Sequence, residues 1–386
     1  MNVILFDYQR EAFLPLTFTR PISDLRIGIV TIKEKWEYYY NNVSVKTEDY
    51  LQEKFLLHLS EENLWINAQA LPNQDLVDEI NNLNEGELLA TKETPIAFKA
   101  GQFEFEKHIR KEINADCQLL ENNFDIFTLN GEEIKNDFER ITKGRISQKL
   151  DESSIKVGDY PLFIEEGAKI ECAYINCNEG PIYIGRNAEM MECCIVRGPF
   201  AMGEGAVLNI GAKIYSNTTI GPFSKVGGEV NNVVFMGYSN KGHDGFLGNA
   251  VIGEWCNFGA GSNNSNLKNN YAEVKLWDYG TERFQNTGLQ FCGLIMGDHS
   301  KCSINSMFNT GTVVGVSANI FGSGFPRNFV PSFSWGGASG FCTFKTEKAF
   351  EVANKVMQRR NQSFNEVEKK ILSHVFGLTK SYRNEK

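Results

Sequence analysis

No C-x-x-C pair occurs anywhere in the 386 residues, so the usual frame of a structural zinc site is missing. No apolar run approaches membrane-spanning length, and the opening MNVILFDYQR reads as a strand rather than a signal peptide. Basic clusters are also lacking: 39 Lys and Arg stand against 48 Asp and Glu, a net charge of −9. That balance argues against a nucleic-acid or anionic-membrane partner. The nine cysteines are scattered, with only Cys193 and Cys194 adjacent. Their odd number in a large chain without a secretion signal predicts reduced thiols and a cytoplasmic location.

What is present is a length sufficient for two or three domains, 42% hydrophobic and 23% charged residues, as in a soluble globular protein. The strongest pattern is a six-residue beat. Ile164 and Ile170 begin it, and Ile184, Met190, Val196, Met202, Leu208, Ile214, Ile220 and Val226 follow at unbroken spacing. Small residues stand four places on, as at Ala188, Cys194, Ala206 and Ala212. A period of six fits neither a helix nor a flat amphipathic strand. It fits a β-solenoid with three hexapeptides per coil, of which the beat predicts about six coils. The phase slips by two between Val226 and Val234, then resumes through Phe246, Ile252 and Phe258. An amide- and aromatic-rich insertion, residues 263–291, interrupts it and reads as a binding loop reaching a neighbouring subunit. The beat returns at Met296, Cys302, Phe308, Val314 and Ile320.

Ahead of the solenoid, strands and helices alternate, which predicts a parallel or mixed sheet. Strands are expected at residues 2–6, 64–66, 88–90 and 95–98. Helices are expected over 27–40, 49–58 and 74–83, with Asn73 as N-cap of the last. Ligands of such sheets bind at strand carboxyl ends. The loop after the first strand therefore offers Arg20, Asp24 and Arg26 for phosphates or a metal; loop-anchoring ion pairs are the competing reading. The tail carries two helical patterns, residues 346–359 and 364–376, after a turn-rich stretch at 331–340 read as a linker. The organisation expected is thus residues 1–150, 151–330 and 331–386.

One histidine stands out. His243 lies three places after Asn240, away from the inward position, and Gly242 and Gly245 leave room beside it. A neutral imidazole facing solvent can serve as a general base. Asp244 points elsewhere on a strand. A three-histidine zinc site is set aside, because only His243 and His299 fall in the repeat region; no metal ligands are assigned.

Two stretches carry a resemblance. Pro15-Leu16-Thr17 and Arg20-Pro21 resemble the loop after the first strand in sugar-nucleotidyltransferases. The glycine-rich part of that loop has no counterpart in Asp7 to Glu11, and Asn67 stands where the family places a metal-binding aspartate. The segment G-H-D-G-F-L-G-N-A-V-I-G-E-W-C-N-F-G-A-G from Gly242 is similar to the acetyltransferase motif of the bifunctional UDP-N-acetylglucosamine pyrophosphorylase/glucosamine-1-phosphate N-acetyltransferase family. The resemblance implies an α/β N-terminal domain of nucleotidyltransferase type, shortened, followed by a left-handed parallel β-helix of hexapeptide repeats and a C-terminal helical tail. It implies His243 as catalytic base and Asn257 and Phe246 on the sugar. Glu229 and Asn231 fall at further substrate positions, and Ala260 and Asn266 near acetyl-CoA. Phe246 replaces a tyrosine and Asn231 a lysine. The activity implied is acetyl transfer from acetyl-CoA to an amino-sugar phosphate. Uridylyl transfer from UTP, yielding a UDP-sugar and requiring Mg2+, is implied for the N-terminal half, and a homotrimer for the assembly. The alternatives are a nucleotidyltransferase with a purely structural solenoid and a non-catalytic sugar-nucleotide-binding scaffold.

Overall fold

The computed structural model describes residues 2–383. The N-terminal region is a six-stranded mixed sheet of β1 (Asn2–Phe6), β2 (Val43–Lys46), β3 (Asn63–Asn67), β4 (Glu87–Ala90), β5 (Pro95–Ala100) and β6 (Ile109–Glu112). The order is β2-β1-β3-β5-β4-β6, with β1 parallel to both neighbours and β5 antiparallel to β3 and β4. Helix α1 (Ile32–Glu37) is shorter than the span 27–40 expected for it. A capping box fixes its start, Thr31 Oγ1 accepting from Glu34 N and Glu34 Oε2 from Thr31 N at 2.7 Å. Before it, Arg26 and Thr31 pair across an antiparallel bridge. Helix α2 (Asp49–Gln52) likewise covers only the first turn of its expected span. Helix α3 (Gln74–Asn81) begins as expected, Asn73 Oδ1 accepting from Leu76 N at 2.8 Å.

Helices α4 (Asp125–Thr128) and α5 (Asn130–Thr142) carry the chain to the solenoid. Buried Asp137 on α5 accepts from Ile29 N at 2.8 Å and from Lys35 Nζ at 2.6 Å, and Glu133 takes the same ammonium at 2.7 Å. Lys35 is fully enclosed, so this cluster satisfies a charge that would otherwise be prohibitively costly to bury. Removal of a side chain at Gly28 (φ 73°) lets Asp137 approach, since a Cβ there would stand 2.5 Å from its carboxylate.

From Ile155 to Gly337 the chain winds as a parallel β-solenoid with three faces. One face holds nine stacked strands, from Leu162–Ile164 to Phe329–Val330, more coils than the six read from the beat. The inward residues of the regular coils are those of the beat: Ile164, Ile184, Met202 and Ile220 in one row, Ile170, Met190, Leu208 and Val226 in another. The two seven-residue strands Glu229–Phe235 and Phe246–Ile252 bend around a corner and join two faces into one sheet. Asparagine takes the left-handed corner positions, Asn232 at φ 55° and Asn249 at φ 47°.

These bends shift the phase. Val230 and Phe235 point inward, five apart, as do Leu247 and Ile252. Val234 and Phe246 are therefore not inward, contrary to the beat. Val234 and Val251 instead face outward into the apolar core shared with the N-terminal region. That face is apolar on both sides because the N-terminal region covers it.

The insertion folds back on its own chain rather than reaching away from it. Its hairpin, Lys275–Asp278 with Arg283–Asn286, places Trp277 on Phe329, with ring centroids 4.2 Å apart. Tyr279 meets Phe18 edge-on. Residues 331–340 are not a linker either: Ser334–Gly337 pairs in parallel with Asn319–Ile320 and turns into an antiparallel partner, Gly340–Thr343. Helices α6 (Thr346–Gln358) and α7 (Glu366–Leu378) close the chain and pack into the shared core through Ala349, Ala353, Ile371 and Val375. Among the described residues no helix is long and apolar enough to cross a membrane.

Candidate functional site

At the end of β1, Asp7 accepts from Thr47 Oγ1 at 2.6 Å and from Ile22 N at 2.8 Å. Burial pushes its carboxyl up to about 6, outweighing those bonds and nearby Arg10. At the end of β3, Asn67 is buried; its Nδ2 donates to Pro95 O and its Oδ1 accepts from Gln69 N, both at 2.9 Å. Both strand-end side chains are thus engaged in holding local backbone.

The loop residues expected to face a phosphate turn instead toward the solenoid. Arg20 is 4% exposed and lies 2.5 Å from Asp298, 3.2 Å from Glu254 and 3.7 Å from Asp24. Burial acts to lower its pKa, but these carboxylates more than offset it and hold the guanidinium charged. Thr19 Oγ1 joins on Asp298 at 2.7 Å. Asp24 is pushed up to about 6 by desolvation. Arg26 donates from Nε to Met236 O at 3.1 Å and from Nη1 to Ile29 O at 2.6 Å. Arg20 and Arg26 are thus held by groups of the solenoid, as loop-anchoring contacts would be, while Asp24 pairs with Arg20 and is about a third exposed.

His243 is exposed, on the turn between the strands Asn240–Lys241 and Phe246–Ile252. The coils on either side are bare there. Gly227 and Gly228 lie beneath, where an added Cβ would meet Gly242 O and Asp244 Cα within 3 Å. Ala260 and Gly261 lie above, Gly261 N donating to Asp244 O at 2.9 Å. The turn itself depends on Gly245, at φ 125°, where a Cβ would stand 2.1 Å from Ser262 O. The imidazole thus rises from a smooth, glycine-lined corner that leaves it open to a ligand.

Beyond this corner, Phe246 and Glu229 are register partners, and Asn231 is opposite Gly248. The Phe246 ring lies over Gly248, occupying the space a Cβ there would need, 2.5 Å from Cζ. Asn266 donates from Nδ2 to Asn249 Oδ1 at 2.8 Å. With its amide oriented to satisfy its neighbours, Asn232 accepts from Asn249 at 3.1 Å. The structure thus groups Glu229, Asn231, Phe246 and Asn266 on one side of the His243 turn and sets Ala260 above it. Asn257 stands exposed on the other side, in the ten-stranded sheet beside Asn240 and Lys301.

The residue that sequence reasoning missed is Lys241. It occupies the inward slot that Val226 fills below and Phe258 above, and it is 2% exposed. Its ammonium donates to His243 O at 2.8 Å and to Gly227 O at 3.0 Å. Asn209 Nδ2 donates to Gly242 O at 2.7 Å. Two side chains therefore hold the backbone on which His243 is mounted. Burial lowers the Lys241 pKa to about 8. A lysine where the inward row demands an apolar side chain, two places before the histidine, was the available signal. His299, the other solenoid histidine, is buried with its pKa pushed down to about 3 by burial, so it stays neutral in the aromatic column with Trp255.

Among the described residues no cluster of three or more His, Cys, Asp or Glu has metal-site geometry. No curated protein matches the chain in a sequence comparison. Residues 3–146 match a family model described as sugar nucleotidyl transferase, and this N-terminal segment is a domain of that family followed by a hexapeptide-type β-solenoid.

Proposed function

We propose that the chain is an acetyl-CoA-dependent N-acetyltransferase acting on an amino-sugar phosphate of the glucosamine-1-phosphate kind. The observation that carries this reading is the exposed His243 on a glycine-lined turn whose backbone is pinned by Lys241 and Asn209. In the proposed reaction the substrate amine attacks the thioester carbonyl. A C–N bond forms, the C–S bond breaks, and His243 takes the amine proton and passes it to the departing CoA thiolate. Glu229, Asn231 and Phe246 hold the sugar, joined by Asn257, while Ala260 and Asn266 lie along the acyl donor. Thiol release from acetyl-CoA in the presence of glucosamine-1-phosphate tests the reading. A rate no faster than background with every amino-sugar phosphate tried would overturn it.

A homotrimer with the site completed by a second copy belongs to the same proposal. What supports it is an outward row in continuous register, Ile155–Tyr174–Ile195–Lys213–Glu229–Phe246. Its first three members are apolar and about half exposed, at 49%, 55% and 49%, an unusual surface for an uncovered sheet. Acyl-CoA chemistry and nine free thiols among the described residues suit a cytoplasmic location.

A second reading is favoured by the family match over residues 3–146: nucleotidyl transfer between UTP and a sugar phosphate, with Mg2+ as the phosphate-bound ion. Calorimetric titration with UTP and Mg2+ tests it. Heat that saturates at one site per chain supports it, and none up to millimolar UTP counts against it.

A further inference from the structure

One wide groove of the described structure lies away from both the β1 loop and the His243 turn. It opens at the C-terminal end of the solenoid, where the insertion hairpin, the last coil, the Ser334–Thr343 hairpin and the chain's tail meet, and encloses about 1370 Å³. Its walls carry Lys275, Arg327 and Lys345, and no aspartate or glutamate among the described residues lines it. None of these three cations takes part in an ion pair within the described structure. In a chain of net charge −9, three unpaired cations facing one groove make a local positive field. The carboxylates of the neighbouring hairpin are already engaged. Asp278 accepts from Thr281 N at 2.7 Å and Glu282 from the Tyr382 hydroxyl at 3.2 Å.

The same walls are aromatic. Trp277 stacks on Phe329, and Phe284 meets the indole edge-on at 5.5 Å while remaining 42% exposed. The Trp277 indole N–H is buried without a hydrogen-bond partner, as is the Thr343 hydroxyl. Buried donors left unmet are uncommon in folded proteins. Cations and flat apolar rings together recognise a molecule that is both anionic and planar. The volume exceeds the few hundred to about 1000 Å³ typical of small-ligand sites, so a ligand longer than a bare nucleotide is accommodated.

We propose that this groove binds a nucleoside diphosphate moiety carrying a further substituent, with its phosphates among Lys275, Arg327 and Lys345 and its base against Phe284 and Trp277. That chemistry is shared by a nucleotide sugar and by coenzyme A. The proposal does not rest on His243 as a catalytic base, and the test keeps the two apart.

Isothermal calorimetry on the full chain, in wild-type and His243→Ala forms, measures binding of UDP-N-acetylglucosamine, coenzyme A and inorganic pyrophosphate. A combined Lys275→Ala, Arg327→Ala, Lys345→Ala variant is compared, its folding checked by circular dichroism. The expected result is saturable binding of one nucleotide-bearing probe, equal in the wild-type and His243→Ala proteins, weakened at least tenfold in the triple variant and falling with added salt. Which probe binds identifies the source of the moiety. Absence of binding by both nucleotide probes at millimolar concentration would overturn the proposal. So would equal affinity in the triple variant, or pyrophosphate binding as tightly as the better nucleotide.

Discussion

Replacing Lys241 with methionine separates the cost of burying this ammonium from its benefit to the His243 turn. Methionine has similar length and fills the inward slot between Val226 and Phe258 without a charge. The lysine pKa falls from 10.5 to about 8 on folding, a difference of about 3 kcal/mol between protonation states. The sign follows from proton counts. Between about pH 8 and 10.5 the unfolded chain holds the proton and the folded chain has released it, so wild-type stability rises with pH in that window. Methionine does not titrate. The wild type should therefore gain on the Lys241→Met variant by roughly 2 kcal/mol between pH 7.5 and 9.5. At pH 7.5 the variant loses two hydrogen bonds to carbonyls, about 1 kcal/mol each, and escapes the burial cost, so it should be at least as stable as wild type. Urea unfolding of both proteins at the two pH values measures this. Parallel stability profiles would refute the argument, since they would mean that Lys241 titrates alike in folded and unfolded chains. Under the acetyl-transfer proposal the loosened turn should also cost about tenfold in turnover.

Three further perturbations have defined outcomes. Arg20→Met leaves Asp298 buried without its cation and should cost about 3–5 kcal/mol, with thermal unfolding showing the N-terminal region releasing before the solenoid; a single unshifted transition would contradict it. Asp7→Asn removes a carboxyl whose pKa is raised from 3.8 to about 6. The folded chain holds that proton across the window, so wild-type stability falls as pH rises from about 4 to 6; chemical denaturation should show a shallower fall for the variant and a gain of about 1–3 kcal/mol at pH 7.5. Gly245→Ala places a Cβ 2.1 Å from Ser262 O at φ 125° and should destabilise by at least about 1–3 kcal/mol, measured by urea midpoint, whereas alanine at the open turn glycine Gly211 (φ 72°), where a Cβ meets nothing, bears only the backbone strain.

The solenoid was legible because its coils are chemically regular. Eight successive residues from Ile184 to Val226 keep one spacing, and each points inward. The reading failed where the geometry uses a different count. At Asn232 and Asn249 a left-handed asparagine turns the corner within a continuous strand, and the inward residues come five apart. Phe246 therefore took an inward role in the sequence that Leu247 fills in the fold. Lys241 was hidden by the same slip, 15 residues past Val226 where the neighbouring coil takes 18 from Leu208. The exposed placement of His243 was legible because it depends only on glycine neighbours and distance from the inward slot. The fate of Arg20 was not, since its partners Glu254 and Asp298 lie more than two hundred residues on. Pattern within a segment says nothing of ion pairs that close a domain interface.

The proposed role of the His243 imidazole is that of general base in acetyl transfer. It is tested most directly by following CoA release and N-acetylated product from acetyl-CoA and glucosamine-1-phosphate, with wild-type and His243→Ala proteins side by side. Turnover by the wild type and a loss of at least about a hundredfold in the variant are expected, with Arg20 and Asp7 substitutions changing stability but not the identity of the product. Equal rates in both proteins would contradict it.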